Sequence, residues 1–437
     1  MKTVFFNTPS HGHVNPTLAV TAELVKRGEQ VIYYTTEEWR SQIEAAGAEF
    51  RPYPYSHAME VFTGHRSGDS NFARTVLRLL QISGDSNFAR TSLRLLQISE
   101  ELLPSVLQSL RQERPDYVIF DSMAGWGKQA ARRLALPAIA SITTFVFSRA
   151  MLPSRPAHVS MRSFANVALF RPVYWQTARR IRKAFGVESP RFLGTLMNTG
   201  DLNIVFTSEQ MQPHADKLGA NFKFVGPSLS DRPTTVDFPF EQLTRRPLVY
   251  ISLGTIFNTN PEFYRQCFSA FADHPGQFVL SAGARTDLTA LGPIPPNFIV
   301  RNFVPQLDLL ERSDLFITHG GMNSVHEGLF YGVPLLVVPQ QGEQAVVARQ
   351  VERNGAGLVL GGEWPFGRVS ADELRAALER MLQGGVPNEQ FRAAAARLGD
   401  ALRAAGGPAR AAEEIISFAR RQREAIPNAE EVSIGAV

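Results

Sequence analysis

Two consecutive doubly wound α/β domains of similar size are predicted for this chain, on three observations. Short apolar runs suited to buried parallel strands alternate with helix-period segments. The alternation stops at residues 227–246, a stretch rich in Pro, Ser, Thr and Asp. It then starts again and continues almost to the end of the chain.

In chain order, residues 3–7 read as a buried strand, followed by the loop TPSHGHVN (8–15). Pro16 can open a helix carrying Leu18, Ala19, Ala22, Leu24 and Val25. QVIYYT (30–35) is the next strand, which completes a βαβ unit and requires helices on both sheet faces. Further strands are predicted at 117–120, 138–142 and 203–207. Beyond the linker they fall at 248–252, 278–281, 298–301, 315–318 and 335–338. The expected division is a first domain over 1–226, the linker 227–246, a second domain over 247–410, an amphipathic helix over 411–424 packing back towards the first domain, and a loose polar tail over 425–437.

Residues 67–82 (SGDSNFARTVLRLLQI) recur as 83–98 (SGDSNFARTSLRLLQI), differing only at Val76 and Ser92. The step between copies would turn a helix face by about 160° at roughly 100° per residue, so one unbroken helix could not bury both apolar stripes alike. Each copy begins with a loop and N-cap signal, SGDSN. Two short loop–helix units in a surface hairpin are therefore expected.

Composition narrows the function. The chain is 44% hydrophobic and 20% charged, enough to build real cores. A net charge of +4 is slight for 437 residues and gives no case for nucleic acid. The single cysteine, Cys267, cannot form an intrachain disulfide and rules out a cysteine metal cage, in keeping with a reducing cytoplasm. The N-terminus lacks a secretory pattern, and no apolar run approaches the roughly 20 residues of a membrane span. A cytoplasmic protein, monomer or homodimer and without stable membrane insertion, is expected.

The most informative stretch is FVPQLDLLERSDLFITHGGMNSVHEGLFYGVPLLVVPQQGEQ (303–344). A strand ending at Thr318 runs through His319, Gly320 and Gly321 into a helix opening near Asn323 and Ser324. Glycines there let the backbone approach a ligand closely, and unpaired N–H groups with the helix dipole favour a phosphate. Asn323, Ser324 and His319 can add donors, and Glu327 can accept from vicinal hydroxyls, as on ribose. Taken alone, such a turn equally fits a plain helix cap with Glu327 solvated.

The whole stretch resembles the nucleotide-sugar signature of the family-1 glycosyltransferases, and its nearest likeness is to the bacterial macrolide branch. The resemblance extends through TSEQMQP, FKFVGPS and the strand turn SLGT. It implies the GT-B fold, two Rossmann-like domains facing across a cleft, the first binding acceptor and the second binding donor. It further implies that Phe303, Val304 and Gln306 surround the base and ribose while Glu327 holds the ribose hydroxyls. His319, Gly321, Asn323 and Ser324 would hold the diphosphate, with Gly254 and Thr255 lining it from the other side. Glu343 and Gln344 would bind sugar hydroxyls. UDP-glucose is the expected donor, with no metal or other cofactor. Many plant members carry Trp at the position of Phe303 and Asp at that of Glu343. Met322 stands where Trp is common, as in bacterial members.

His13 lies in the first loop and Asp121 ends the strand in DYVIFDS, both at carboxyl ends of parallel strands, where open α/β sheets bind ligands. A neutral alcohol is a poor nucleophile. An imidazole can take its proton, and a carboxylate on the other ring nitrogen fixes the tautomer. Taken alone, each residue also fits a structural role. The resemblance, through Gly12-His13-Val14-Asn15-Pro16 and VIFD, implies that His13 is the base and Asp121 its orienter. His11 and His13 have no further ligand cluster beside them in sequence, so no metal is expected.

Aromatics in irregular stretches of the first half (Tyr53, Tyr55, Phe62, Phe145, Phe147, Phe164, Phe170, Trp175) suit either core or an apolar acceptor pocket. Phe62, Thr143 and Phe145 are the candidate acceptor contacts, for a macrolide, flavonoid or other phenol. RPVYWQTARRIRKAF puts Tyr174, Ala178, Ile181 and Phe185 on one helical face and Arg179, Arg182 and Lys183 on the other. A docked helix with a solvated basic face and a membrane-surface helix both fit this pattern. The competing readings are a GT-B epimerase, a membrane-docked lipid glycosyltransferase, and a non-catalytic nucleotide-sugar binder. A dinucleotide oxidoreductase is excluded, since GAGLVLGG (355–362) has the wrong spacing.

Overall fold

The computed structural model describes residues 1–54, 86–147, 161–229, 237–254, 258, 260–363, 366–383 and 386–425. They form two compact units. The first comprises Met1–Phe206, His214–Ser228 and the chain from Gly406 onward; the second comprises Thr207–Pro213 and Leu229–Ala405.

The first unit is built on a seven-stranded sheet in the order β3-β2-β1-β4-β5-β6-β7. These strands are β1 (Lys2–Phe6), β2 (Gln30–Thr35), β3 (Glu49–Pro52), β4 (Tyr117–Asp121), β5 (Ala138–Ile142), β6 (Leu202–Val205) and β7 (Phe222–Phe224). Every pair is parallel. Its helices are α1 (His11–Lys26), α2 (Arg40–Ala45), α3 (Ser86–Glu113), α4 (Gly125–Arg133) and α5 (Met161–Phe185). The second unit holds a six-stranded parallel sheet in the order β10-β9-β8-β11-β12-β13. Its strands are β8 (Leu248–Ser252), β9 (Gln277–Ser281), β10 (Phe298–Arg301), β11 (Leu315–Thr318), β12 (Leu335–Val337) and β13 (Gly357–Val359). Its helices are α6 (Pro261–Phe271), α7 (Gln306–Leu310), α8 (Met322–Phe330), α9 (Gly342–Arg353), α10 (Ala371–Met381) and α11 (Glu389–Ala404). In both sheets the strand order reverses beside the first strand, between β1 and β4 and between β8 and β11. That reversal opens a crevice at the carboxyl edge.

Several expectations need correction. α1 opens at His11, five positions before Pro16, so His13 sits in its first turn and not in a free loop. Its buried face is Val14, Thr17, Val20, Thr21 and Leu24, because Thr17 satisfies its hydroxyl inside the core. The second copy of the repeat is no short surface unit. It opens α3, and Leu93, Leu95, Leu96 and Ile98 join the first unit's core. The first copy lies outside the described residues. The linker is not uniform either. Phe238 is buried, and the amides of Thr244 and Arg245 donate to Gln277 Oε1, tying this end to the second unit.

The chain returns to the first unit at Gly406, and a final helix, α12 (Gly407–Glu424), packs on α1. Ala411, Ala412, Ile415 and Phe418 join a core with Phe5, Val14, Leu24 and Tyr33. Ile415 is 2% exposed. Ile415→Ala is therefore expected to cost about 2–4 kcal/mol in the first unit's unfolding free energy, measured by urea denaturation.

Candidate functional site

In the first unit the site is built where β1 and β4 run side by side and end together, with Phe6 opposite Phe120. His13 Nδ1 lies 2.7 Å from Asp121 Oδ2, and the aspartate side chain has no exposed surface. The other carboxylate oxygen accepts from the Thr8 hydroxyl at 2.7 Å and from the Met123 amide at 3.0 Å. A carboxylate has no proton to give, so the contact places the imidazole proton on Nδ1 and makes Nε2 the basic nitrogen of the neutral ring. Thr143 Oγ1, 3.2 Å from Nδ1, offers that proton a second acceptor.

The loop between β1 and α1 is held from beneath. The Asn7 side chain donates to the His13 carbonyl at 3.3 Å and to Thr17 Oγ1 at 3.1 Å, and its own oxygen accepts from the Thr8 amide at 2.7 Å. The Tyr33 hydroxyl closes the cluster on Asn7 and Thr17, and burial pushes its pKa up, so it stays protonated. Sequence reasoning missed Asn7, which read there as the last residue of the first strand, and Thr8, which read as ordinary loop polarity. His11 and Trp39 pack as a T-shaped ring pair, with centroids 4.8 Å apart. No group of three potential metal ligands occurs among the described residues.

In the second unit the corresponding edge carries Gly254 after β8 and His319 after β11. The imidazole of His319 lies against two glycines. A Cβ on Gly254 would come within 2.5 Å of its Cε1, and one on Gly321 would meet its Nε2 more closely still. Gly254 also has φ +77°, which a side chain would strain. Burial pushes the His319 pKa down to about 4, so the ring is neutral at pH 7 and carries one N–H. The first turn of α8 has neither a side-chain cap nor an acidic residue. Its positive end is thus left to whatever meets it.

Further along, the Tyr250 hydroxyl donates to Gln306 Oε1 at 2.9 Å, and the Gln306 amide donates to Glu327 Oε2. Gln306 and Glu327 thus form one chain anchored by Tyr250, a residue the sequence offered only as strand core. Phe303 is 55% exposed, leaving its ring accessible. Gln344 is buried, and its carbonyl accepts from the Gln340 amide at 2.8 Å, so its NH₂ end is the one left to serve a ligand. Glu343 is exposed in the first turn of α9, Val304 is half-buried, and Asn323 and Ser324 lie half-buried in the first turn of α8. Thr255 and Phe62 lie outside the described residues. Phe145, a candidate acceptor contact, is 1% exposed. Thr143, also buried, lies 3.2 Å from the His13 ring.

His326, behind the α8 terminus, is 1% exposed and sits 3.0 Å from Thr207 Oγ1. Burial pushes its pKa down to about 3. Its folded pKa lies below the ordinary value near 6.5, so stability is lost as pH falls through that value. The unfolding free energy should drop by on the order of 2 kcal/mol between pH 7 and pH 5 on account of this residue. Urea titrations at both pH values should show that drop shrinking in His326→Gln.

The profile described as "Erythromycin biosynthesis protein CIII-like, C-terminal domain" matches residues 269–418. The "Uncharacterized UDP-glucosyltransferase YojK" of Bacillus subtilis is 34% identical, covering 95% of this chain and 97% of the relative. The demethyllactenocin mycarosyltransferase of Streptomyces fradiae is 29% identical over 94% of this chain and 85% of its own. Among solved structures, the "Glycotransferase of kitacinnamycin" superimposes with a TM-score of 0.75 at 27% identity, covering 95% of this chain and 97% of that one. The chain belongs to the family-1 glycosyltransferases of the GT-B fold, on the branch with the macrolide enzymes, and transfers a sugar from a nucleotide sugar.

Proposed function

We propose that this enzyme transfers glucose from UDP-glucose, with inversion, to a hydroxyl of a small apolar acceptor such as a macrolide, flavonoid or other phenol. The observation that carries the reading is the 2.7 Å contact between His13 Nδ1 and Asp121 Oδ2, which leaves Nε2 as a base. The name of the Bacillus subtilis relative, a UDP-glucosyltransferase, supports the donor.

The acceptor oxygen attacks the anomeric carbon as its proton passes to His13 Nε2. The bond from that carbon to the diphosphate oxygen breaks, and the diphosphate leaves with the electron pair. Asp121 stabilises the imidazolium that forms. Thr8 keeps one carboxylate oxygen occupied, so the other stays aimed at the ring. The developing charge on the diphosphate is met by the amides of the first α8 turn, Gly321, Asn323 and Ser324, with Gly254 and Thr255 beside them. Because His319 is neutral, it contributes one hydrogen bond and the helix end supplies the positive potential. Phe303 and Val304 would border the base. Gln306 and Glu327 would read the ribose hydroxyls, while Glu343 and the Gln344 NH₂ would read the sugar. The reaction as drawn uses no metal, since fixed dipoles meet the leaving-group charge.

His13→Ala should lower kcat by about 10²–10⁴-fold while leaving the Kd for UDP within about two-fold, from mass-spectrometric rates and calorimetry. A parallel loss of nucleotide affinity would contradict the assignment. Thr8→Val should lower kcat by about ten-fold through a misaimed carboxylate, and Thr8→Ser should restore most of it.

A further inference from the structure

We propose that the outer face of α5 docks the enzyme on an anionic membrane surface. The helix packs on α3 through Tyr174, Thr177 and Ile181, each at most 3% exposed. Its opposite side carries Arg171, Trp175, Arg179 and Arg182 at spacings of four, four and three, one continuous stripe, with Lys183 beside it. All five are exposed, and Trp175 is 57% exposed in the middle of the charges. Val173, 42% exposed, lies two positions from Arg171 and Trp175, on another face of the helix and outside this stripe. No Asp or Glu occurs in α5. Arg180 is matched by Glu100 at 2.6 and 2.8 Å. The other four cations pair with no carboxylate among the described residues. Arg133, at the end of α4, donates to the Phe185 carbonyl at 3.0 Å and brings one more guanidinium to the same end.

Charge alone would suit any polyanion. An indole set among the charges adds what a polyanion does not need and a lipid interface rewards. The indole reaches the headgroup boundary while the cations stay at the phosphates. No described helix is long and apolar enough to cross a membrane, so the contact is peripheral. This inference does not depend on the donor or on the role of His13.

The test is flotation of the full-length protein with vesicles of phosphatidylglycerol and phosphatidylcholine, against phosphatidylcholine alone. Binding to the anionic vesicles should exceed binding to the neutral ones by at least about ten-fold at 50 mM salt, and should weaken by about ten-fold at 300 mM. The double variant Arg179→Glu, Arg182→Glu should lose it. Trp175→Ala should weaken it by about three- to ten-fold. Sugar transfer to a water-soluble phenol should be unchanged in these variants, which separates a failed docking surface from a failed enzyme reading. Equal binding to both vesicle types, or binding that survives the charge reversal, overturns the proposal. So does a chain that ignores anionic vesicles but is held by polyglutamate through the same arginines.

Discussion

A fully buried carboxylate shared by three donors is the constraint around which the first unit's site is arranged. Asp121 has no exposed surface and would be costly there without partners. Its donors come from three places in the chain: the Thr8 hydroxyl after β1, the His13 ring in the first turn of α1, and the Met123 amide after β4. Hydrogen bonds to a charged group contribute about 1.5–3 kcal/mol each, and an orphaned partner costs at least as much. The loop and the helix start therefore have little freedom to drift. The Asn7–Thr17–Tyr33 cluster fixes the same loop from the core side. The ring orientation of His13 thus follows from burial and bonding well before any substrate arrives.

The second unit meets the same topological problem with different chemistry. Its sheet reverses order beside β8 as the first does beside β1, so its carboxyl edge also opens between two diverging loops. Here the edge is lined by backbone. Two glycines hold the His319 ring at a distance no side chain would allow, and the first turn of α8 is left uncapped. A burial-neutralised imidazole and a helix end make a site that attracts negative charge without carrying a fixed cation. In the proposed reaction the first unit would supply the proton acceptor and the second the anion receptor. Sugar transfer to an alcohol needs both.

Much of this was legible in the sequence, for a physical reason. Central parallel strands are buried on both faces, so they read as unbroken apolar runs. QVIYYT, LVYIS and LFIT were found within their observed bounds. In the two large sheets, the three strands not foreseen, β3, β7 and β13, all lie at sheet edges. EFRP, FKF and GLV carry charge, proline or glycine there and show no such run. His13 and Asp121 were legible as a motif, yet their contact spans 108 residues of chain and only the fold could bring them together. Thr8, Asn7 and Tyr250 were not legible, because a polar side chain that serves another side chain leaves no spacing signature. The fate of the repeat was hidden likewise. Segments that differ at one position carry nearly the same local signals, and the second copy's burial comes from what α3 packs against.

The most direct measurement of the central claim is the tautomeric state of His13, read by nitrogen-15 NMR of the histidine ring at neutral to mildly alkaline pH. A neutral ring protonated on Nδ1 is expected, with that preference weakened or reversed when Asp121 is replaced by Asn. A wild-type ring protonated on Nε2, or a tautomer indifferent to Asp121, would contradict it.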